Sequence, residues 1–296
     1  MKILISGATG FIGQSLLPEL LKSGHQITAL VRQKDNRLDD SINQITLESL
    51  DSLDSQMDAF INLAGESIAS KPWTKKRKKT LYDSRITLTN TVRKKLKQAP
   101  KLVISMSAVG FYGVSIDDVF TENATPSGGF AHDLCRDWEN AAQTFTEGAS
   151  RVVIFRLGVV LGAGGALEKM RLPFLCGLGG PIASGKQWFP WIHQRDVIKG
   201  VIAAINDDRY IGTYNFVSPQ AIQQKDFAKQ YARALKRPAF MPMPKWVLDL
   251  ALGEMASLLT HGPKIIPQRL EQQGFQFEFA NLDKALEDIE QKHQIY

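Results

Sequence analysis

Short apolar runs alternate with longer segments of helical periodicity over most of the first 217 residues. Leu16, Leu17, Leu20 and Leu21 form an apolar stripe, as expected for a helix that covers one face of a core. Strands that alternate with helices are typical of a doubly wound parallel sheet, so the predicted fold class is α/β, Rossmann-type, with a smaller C-terminal substrate lobe. The predicted strands lie at 3–5, 26–31, 59–64, 102–105, 151–160 and 212–217, and the helices between them at 75–97, 133–145 and 196–205.

The pattern changes after Leu161. Seven glycines and three prolines crowd into 162–192 together with aromatic residues, a mixture that suits small-molecule pockets. We therefore expect a nucleotide-binding domain at 1–161, with 193–217 packing back onto it, and a substrate lobe made of 162–192 and 218–296. In the C-terminal part the pattern predicts helices at 224–235, 245–259 and 282–292 and a strand at 274–279.

A glycine-rich turn joins the first predicted strand to the first helix. Gly7, Gly10 and Gly13 follow the spacing G-x-x-G-x-x-G rather than G-x-G-x-x-G. Glycines let the backbone approach a pyrophosphate without Cβ clashes, and the free N–H groups at the start of the helix attract its negative charge. The position of the turn between strand and helix predicts a dinucleotide site.

The residue after the second predicted strand indicates which dinucleotide is bound. An acidic residue there would accept hydrogen bonds from the adenosine ribose 2′-hydroxyl, but this chain has Arg32. A guanidinium favours a 2′-phosphate, so we predict NADP(H) rather than NAD(H). The third strand ends at Leu63 and Ala64 before Gly65, and small residues at this edge permit the adenosine to approach closely.

Composition argues against several other classes. Cys135 and Cys176 are too few for a disulfide framework and form no metal-ligand spacing with a histidine pair, so no metal is expected. No apolar run has the length of a membrane span and no signal peptide precedes the first strand, so we expect a cytoplasmic protein. The net charge of +6 is concentrated in a lysine-rich stretch at 71–79, interpreted as a solvated helix face rather than a nucleic-acid site.

Several motifs together resemble the extended short-chain dehydrogenases/reductases. The branch they resemble is the NAD-dependent epimerase/dehydratase-like one, whose members also carry nucleoside-diphosphate-sugar-epimerase-like or cell-division-inhibitor-like labels. The resemblance covers nearly the whole chain, including a small C-terminal domain of this branch at 244–286. The motifs are the glycine turn, 62–65 (NLAG), 105–107 (SMS) with Tyr112-Gly113, 135–139 (CRDWE), 156–162 (RLGVVLG) and 191–193 (WIH).

The resemblance implies a set of cofactor contacts and one departure from the usual catalysis. Short-chain reductases use a Tyr-x-x-x-Lys dyad, in which the tyrosine exchanges the proton and the lysine lowers the pKa of that tyrosine. Aligned on the family, this chain has Leu134 and Trp138 at the dyad positions, and no other tyrosine restores the pair. The implied NADP(H) contacts are Gly7, Thr9, Gly10, Phe11, Ile12, Gly13, Val31, Arg32, Leu63, Ala64, Arg85, Ser107 and Val160.

Other side chains could exchange a proton in place of the missing dyad. Each also has a structural interpretation: a small residue that ends a buried strand, a packing aromatic, an exposed lysine or a buried structural histidine. The catalytic candidates are Ser107 (with Ser105 as its rival), Tyr112, Lys186 and His193, with Cys135 and His132 as further alternatives.

Two functions follow from these observations and stay open at this point. One is an NADP(H)-dependent oxidoreductase or epimerase acting on a small carbonyl, polyol or sugar-nucleotide substrate, which the elaborated pocket lobe around Lys186 favours. The other is a non-catalytic NADP(H)-dependent regulatory or binding protein, which the missing dyad favours. The expected partner is a small molecule rather than nucleic acid or membrane, and a homodimer is left open.

Overall fold

Seven parallel strands form one sheet, in the order 212–216, 151–157, 102–108, 59–62, 2–6, 26–30 and 43–45. The computed structural model describes residues 1–53, 56–115 and 118–293; residues 54–55 and 116–117 of the predicted nucleotide-binding domain and residues 294–296 of the predicted substrate lobe lie outside this description. The sheet confirms the predicted Rossmann-type α/β fold. The strands are β1 (Lys2–Ser6), β2 (Gln26–Leu30), β3 (Asn43–Ile45), β4 (Ala59–Asn62), β5 (Leu102–Ala108), β6 (Val119–Phe120), β7 (Arg151–Leu157), β8 (Val159–Gly162), β9 (Trp191–His193), β10 (Gly212–Phe216) and β11 (Lys264–Ile265).

Helices cover both faces of the sheet, and the alternation of side chains along the strands separates the two layers. Ile3 and Ile5 of β1 face one apolar cluster, whereas Leu4 between them faces another. The helices are α1 (Phe11–Lys22), α2 (Lys75–Tyr82), α3 (Leu88–Lys95), α4 (Phe130–Gln143), α5 (Gly165–Leu175), α6 (Gln194–Asn206), α7 (Gln224–Ala234), α8 (Lys245–Leu252), α9 (Ser257–Thr260), α10 (Gln268–Gln272) and α11 (Leu282–His293).

Strand β1 marks the place where a ligand cleft is expected. It pairs with β2 on one side and with β4 on the other, so the chain order reverses there. Ligands of doubly wound sheets bind outside the carboxyl ends of the strands at such a switch point. In this chain that edge carries the glycine turn after β1.

Part of the predicted C-terminal lobe packs in an apolar cluster outside the seven-stranded sheet, whereas Met255, Leu270 and Phe275 belong to the main cluster. Side chains of α5, α7 and α11 meet in one buried cluster, which includes Phe174, Phe227, Tyr231 and Leu286. Helix α5 was not predicted, because glycines on both sides of it and Pro173 within it mask the apolar period.

Two predicted strands differ from the structure. The run 151–160 divides at Gly158, where a Cβ would lie 2.7 Å from the Pro190 carbonyl, and β8 leaves the sheet to pair with β9. The strand predicted at 274–279 is wrong: the segment pairs with no strand among the described residues. Its alternating phenylalanines pack on the apolar core, as predicted. In place of a neighbouring strand, the Asp196 carboxylate accepts the backbone N–H groups of Glu278 and Phe279 at 2.6 and 3.0 Å.

The helix predicted at 75–97 is interrupted. Between α2 and α3 lies a five-residue π-helical turn, Asp83–Thr87, which a periodic pattern does not reveal. The helix predicted at 245–259 is likewise divided into α8, a 3₁₀ turn at Gly253–Ala256 and α9, because the backbone of Gly253 has a φ of +58°.

Candidate functional site

The glycine turn packs directly against the chain that follows β4. Gly7 has a φ of +73°, and a Cβ there would lie 2.7 Å from the Leu63 carbonyl carbon. A Cβ at Gly13 would lie 2.4 Å from the Gly7 carbonyl oxygen. These contacts explain why side chains are excluded from both positions.

The first turn of α1 is open to a ligand. Gly10 is the N-cap residue and offers no side chain to the N–H groups that begin the helix. A Cβ at Gly10 would meet only the Gly7 carbonyl oxygen, at 3.1 Å, and would otherwise extend into open space. Uncapped N–H groups and the helix dipole form an anion site, so this end of α1 fits a pyrophosphate.

A cleft of about 780 Å³ runs along the carboxyl ends of β1, β2 and β4. It brings together part of the predicted cofactor set. Six predicted residues lie outside its lining: Phe11, Ile12, Gly13, Arg85, Ser107 and Val160. The predicted residues that line the cleft are Gly7, Thr9, Gly10, Val31, Arg32, Leu63 and Ala64.

Phe11 connects the glycine turn to the C-terminal lobe. Its carbonyl oxygen accepts a hydrogen bond from Gln194 Nε2 at 2.7 Å. Cβ atoms built on Gly162 and Gly165 would lie 2.8 and 3.0 Å from the Phe11 ring. Part of the glycine-rich segment predicted to contact substrate is therefore needed for packing around this ring.

Two arginines line the adenosine end of the cleft. Arg32 Nη1 lies 3.5 Å from Glu66 Oε1, and the Arg32 side chain is 94% exposed; Glu66 also pairs with Arg77 at 3.3 Å. Sequence reasoning missed Arg37, which stands in the same loop as Arg32. Hydrogen bonds from Arg37 lower the pKa of the Asp35 carboxyl to about 2, so that carboxyl is ionised at neutral pH.

Ser107 and Tyr112, two of the catalytic candidates, belong to a buried network. Arg156 donates to both Glu139 carboxylate oxygens at 2.9 and 2.8 Å, and Ser107 Oγ donates to Glu139 Oε1 at 2.7 Å. The Tyr112 hydroxyl accepts from Arg156 at 2.9 Å and donates to Asn215 Oδ1 at 2.6 Å, and burial raises the pKa of Tyr112. Both hydroxyls are thus committed to protein partners, and proton exchange by them stays a prediction.

The side chains of α4 nearest the end of β5 are those of Ala131 and Cys135. A Cβ built on Gly110, just after β5, would lie 3.4 Å from Ala131 Cβ and 3.7 Å from Cys135 Sγ. Leu134 and Trp138 lie three residues further along the same helix face, in the apolar cluster that also contains Ala131. The structure thus favours Ala131 and Cys135, rather than Leu134 and Trp138, for the positions of a dyad beside β5. Burial raises the pKa of Cys135 to about 11, which leaves it a neutral thiol.

The structure does not bring the other two catalytic candidates to the cleft. Lys186 is exposed in the C-terminal lobe, and its backbone N–H donates to Ser184 Oγ at 3.3 Å. His193 is buried at the start of α6, where its Nδ1 accepts the Arg195 N–H at 3.2 Å and caps the helix. Its Nε2 lies 3.3 Å from an Asp288 carboxylate oxygen, in an orientation unsuited to a hydrogen bond.

His193 is expected to make the stability of the protein pH-dependent. Burial lowers its pKa to about 4, although Asp288 opposes the shift. Since the pKa of unfolded histidine is about 6.5, the neutral ring stabilises the fold above that pH, and this contribution is lost as the pH falls towards 4. We expect up to about 3 kcal/mol of unfolding free energy to be lost between pH 7 and pH 4.

Urea unfolding at several pH values measures this loss. In His193→Asn the asparagine can still cap α6 but does not titrate, so its stability should fall less over the same range. Parallel pH profiles for the two proteins would contradict the assignment.

Within 1–53, 56–115 and 118–293, no group of three or more His, Cys, Asp or Glu side chains is placed to hold a metal ion. None of the helices in these ranges has the length and apolar character that a membrane crossing requires.

Comparison with known families gives two matches. The model described as the NAD dependent epimerase/dehydratase family matches residues 3–216. A second model, described as a domain of unknown function (DUF1731), matches residues 243–289.

Individual proteins resemble the chain over nearly its full length. It is 35% identical over 297 residues to the epimerase family protein YfhF of Bacillus subtilis (strain 168), covering 98% of each chain. The crystal structure of human epimerase family protein SDR39U1 (isoform 2) with NADPH superposes with a TM-score of 0.90 at 35% identity, covering 98% of this chain and 99% of that one. A nucleoside-diphosphate sugar epimerase from Corynebacterium glutamicum gives a TM-score of 0.77 at 26% identity, covering 97% of this chain and 57% of that one.

Proposed function

Because the chain belongs to the NAD dependent epimerase/dehydratase family, we propose that it binds NADP(H) in the cleft beside β1. We further propose that it is an oxidoreductase or epimerase, with hydride passing between the cofactor and a small carbonyl, polyol or sugar-nucleotide substrate. The nicotinamide supplies the hydride chemistry when bound. The protein contributes binding, orientation and a proton path.

One observation carries the cofactor proposal: two anion-binding features lie along a single cleft. The uncapped N-terminus of α1 is at its centre, and Arg32 and Arg37 are at its adenosine end. A dinucleotide phosphate has negative charge at both places, a pyrophosphate in its middle and a 2′-phosphate on its adenosine. The NADPH in the human SDR39U1 structure supports the same cofactor.

The substrate class is supported by a relative and by the C-terminal lobe. The Corynebacterium glutamicum relative is described as a nucleoside-diphosphate sugar epimerase, which supports a sugar-nucleotide substrate. Helices α5, α7 and α11 of the C-terminal lobe pack together in an apolar cluster outside the sheet. A lobe packed in this way fits a domain that covers the substrate.

A second candidate, a non-catalytic NADP(H)-dependent regulatory protein, is favoured by the side chains at the dyad positions. Neither Ala131 nor the neutral thiol of Cys135 can replace the proton exchange of a tyrosine and a lysine. Incubating the protein with NADPH or NADP⁺ and a metabolite pool, then following absorbance at the nicotinamide band and separating the products by chromatography, distinguishes the two. An epimerase returns the hydride to its substrate and leaves the cofactor unchanged, so either net conversion of the cofactor above a protein-free control or interconversion of two epimers supports catalysis. The absence of both across sugar-nucleotide and carbonyl pools supports the regulatory alternative.

The cofactor proposal predicts a specific defect in Arg32→Gln. Wild-type protein should bind NADPH more tightly than NADH, and the variant should lose about tenfold in NADPH affinity while its NADH affinity changes little. The reason is the loss of solvent-exposed charge-assisted hydrogen bonds to the 2′-phosphate, which contribute roughly 1.5 kcal/mol. Fluorescence titration with each nucleotide measures both affinities.

Arg209→Gln is the matched control. Arg209 is also exposed and paired with a neighbouring aspartate, Asp207, but does not line the cleft. Its substitution should leave both affinities unchanged. Equal binding of NADPH and NADH by the wild-type protein would contradict the role given to Arg32.

A further inference from the structure

The outer surface of the C-terminal lobe carries a group of exposed apolar side chains. Leu250, Phe240 and Trp246 are 83%, 78% and 69% exposed, more than any other large apolar side chain in the described part of the chain. Single apolar residues are normal on a surface, whereas a contiguous group marks a place of contact with another molecule. We call this group the apolar face; its members are Leu178, Phe240, Met241, Met243, Trp246 and Leu250.

Two backbone segments that lie side by side form one half of the apolar face. The Met243 N–H donates to the Pro181 carbonyl, and the Ala183 N–H donates to the Met243 carbonyl, both at 2.9 Å. A Cβ built on Gly180 would lie 2.1 Å from the Met241 carbonyl oxygen. The segments 177–183 and 238–243 are therefore in direct contact, and their exposed side chains share one surface.

Helix α8 forms the other half of the apolar face. Leu248 is buried, whereas Trp246 and Leu250, four residues apart, lie together on the outer side. Lys245 and Asp249 are the only polar residues of α8, and a helix that is apolar on all sides is normally buried. The outer side of α8 thus has the composition of a covered surface.

The turn after α8 fixes this helix to the rest of the protein. Met255 belongs to the main apolar cluster, and Glu254 pairs with Lys78 of α2 at 2.5 Å. The apolar face is therefore presented on a supported helix and not on a free end of the chain.

Cations surround the apolar face. The stretch 227–248 contains five Lys or Arg residues and no Asp or Glu. Lys236 and Arg237 directly precede the segment 238–243, and Lys186 follows the segment 177–183; all three are exposed. Of these three and Lys245, only Lys245 has an ion-pair partner among the described residues, Asp249 at 3.0 Å. The surroundings of the face therefore attract an anionic partner.

We propose that the apolar face attaches the protein to the surface of a membrane that contains anionic lipids. Phe240, Trp246 and Leu250 enter the boundary between head groups and acyl chains, and the neighbouring cations contact lipid phosphates. Proteins that lie in this boundary combine Trp, Phe and Leu side chains with Lys and Arg. Surface attachment needs no spanning helix, and it does not depend on the proposed function.

The chemistry of the face argues against two other occupants. In a dimer with twofold symmetry the face would meet itself, so the cations around it would be brought together and would repel one another. Single-stranded nucleic acid binds cationic surfaces by stacking its bases on aromatic rings, but four of the six side chains of the face have no ring. Aliphatic side chains pack equally well against acyl chains.

Flotation with lipid vesicles tests the role of the cations. The wild-type protein should bind vesicles of phosphatidylcholine with about one third phosphatidylglycerol, and should bind pure phosphatidylcholine at least about tenfold more weakly. Lys236→Gln with Arg237→Gln should weaken binding to the anionic vesicles about 30-fold, because each cation near such a surface contributes about fivefold. Lys94→Gln with Lys97→Gln is the matched control: both lysines are exposed at the end of α3, and their loss should change binding little.

Tryptophan fluorescence tests whether the apolar face enters the lipid. Of the five tryptophans only Trp246 is exposed, so lipids with brominated acyl chains should quench its fluorescence alone. Trp246→Phe should still bind the vesicles but lose the quenching. Trp246→Gln with Leu250→Gln should bind about tenfold more weakly at an unchanged melting temperature, since both side chains are exposed. Ile211→Gln, 57% exposed and outside the face, is the control.

Four outcomes overturn the proposal. The first is the absence of wild-type binding to the anionic vesicles, and the second is an equal loss of binding in the control variants, which would assign attachment to net charge. The third is quenching that persists in Trp246→Phe, because another part of the chain would then enter the lipid. The fourth is a dimer in sedimentation velocity that Trp246→Gln with Leu250→Gln abolishes, which would assign the face to a second copy of the chain.

Discussion

Replacing Glu139 with alanine is expected to lower the free energy of unfolding by about 3–5 kcal/mol. The carboxylate accepts two hydrogen bonds from Arg156 and one from Ser107, and all three side chains are buried. Without it, the Arg156 guanidinium stays in the interior with no counter-ion. The unpaired buried charge lowers the free energy of unfolding by more than the ion pair raised it in the native protein. Urea unfolding followed by circular dichroism measures the change.

An exposed ion pair on the same helix provides the control. Arg136 Nη1 lies 2.8 Å from Asp133 Oδ1, and about half of each side chain is exposed. Asp133→Ala should therefore lower the free energy of unfolding by less than about 1 kcal/mol. Replacing both Glu139 and Arg156 with methionine should cost less than Glu139→Ala alone, because no charge is left buried. Similar losses for Glu139→Ala and Asp133→Ala would contradict the assignment.

The Glu139 network also explains why two catalytic candidates are held away from solvent. Asn215, which accepts from Tyr112, donates to the Ile266 carbonyl at 3.0 Å next to β11. Glu122 accepts the Arg269 N–H at 3.2 Å at the start of α10. Asn215 of β10 and Glu122 after β6 thus join the sheet to the C-terminal lobe, and the hydrogen bond to Asn215 occupies the Tyr112 hydroxyl near the dyad positions.

The fold and half of the cofactor cleft could be predicted from local sequence. Buried strands such as 3–5 and 59–64 have continuous apolar runs, and Gly7, Gly10 and Gly13 stand in a strand-turn-helix context that few other structures require. Arg32 was identifiable because its position after the second strand is fixed by the fold. The family resemblance drawn from these motifs is confirmed.

The rest of the candidate site depended on contacts that are distant in sequence. The dyad positions on α4 were placed three residues too far along the helix, because Ala131, Leu134, Cys135 and Trp138 all belong to its buried face and periodicity alone does not choose between the two pairs. The π turn at Arg85 adds a residue to a helical turn without changing the composition. The alternating apolar pattern at 274–279 was correct for burial but not for pairing, because Asp196 satisfies backbone groups that a neighbouring strand would otherwise bond.

A single methyl group at Gly10 is expected to weaken NADPH binding by about 100-fold and to change stability little. The backbone φ of −80° suits alanine, and the added Cβ would extend into the cleft at the uncapped start of α1. There it would displace a pyrophosphate from the N–H groups of the helix, and losing two charge-assisted hydrogen bonds costs about 3 kcal/mol. Fluorescence titration with NADPH and thermal melting on Gly10→Ala measure the two effects separately.

Two further variants of the same helix decide whether the effect is local. Gly13→Ala would place a Cβ 2.4 Å from the Gly7 carbonyl oxygen and 2.5 Å from that of Ala8, so it should lower the melting temperature as well as the affinity. Ser15→Ala, further along α1 and outside the cleft lining, should change neither. If Gly10→Ala bound NADPH as tightly as Ser15→Ala does, the pyrophosphate would lie elsewhere than at the start of α1, and the path assigned to the cofactor across β1 would have to be abandoned.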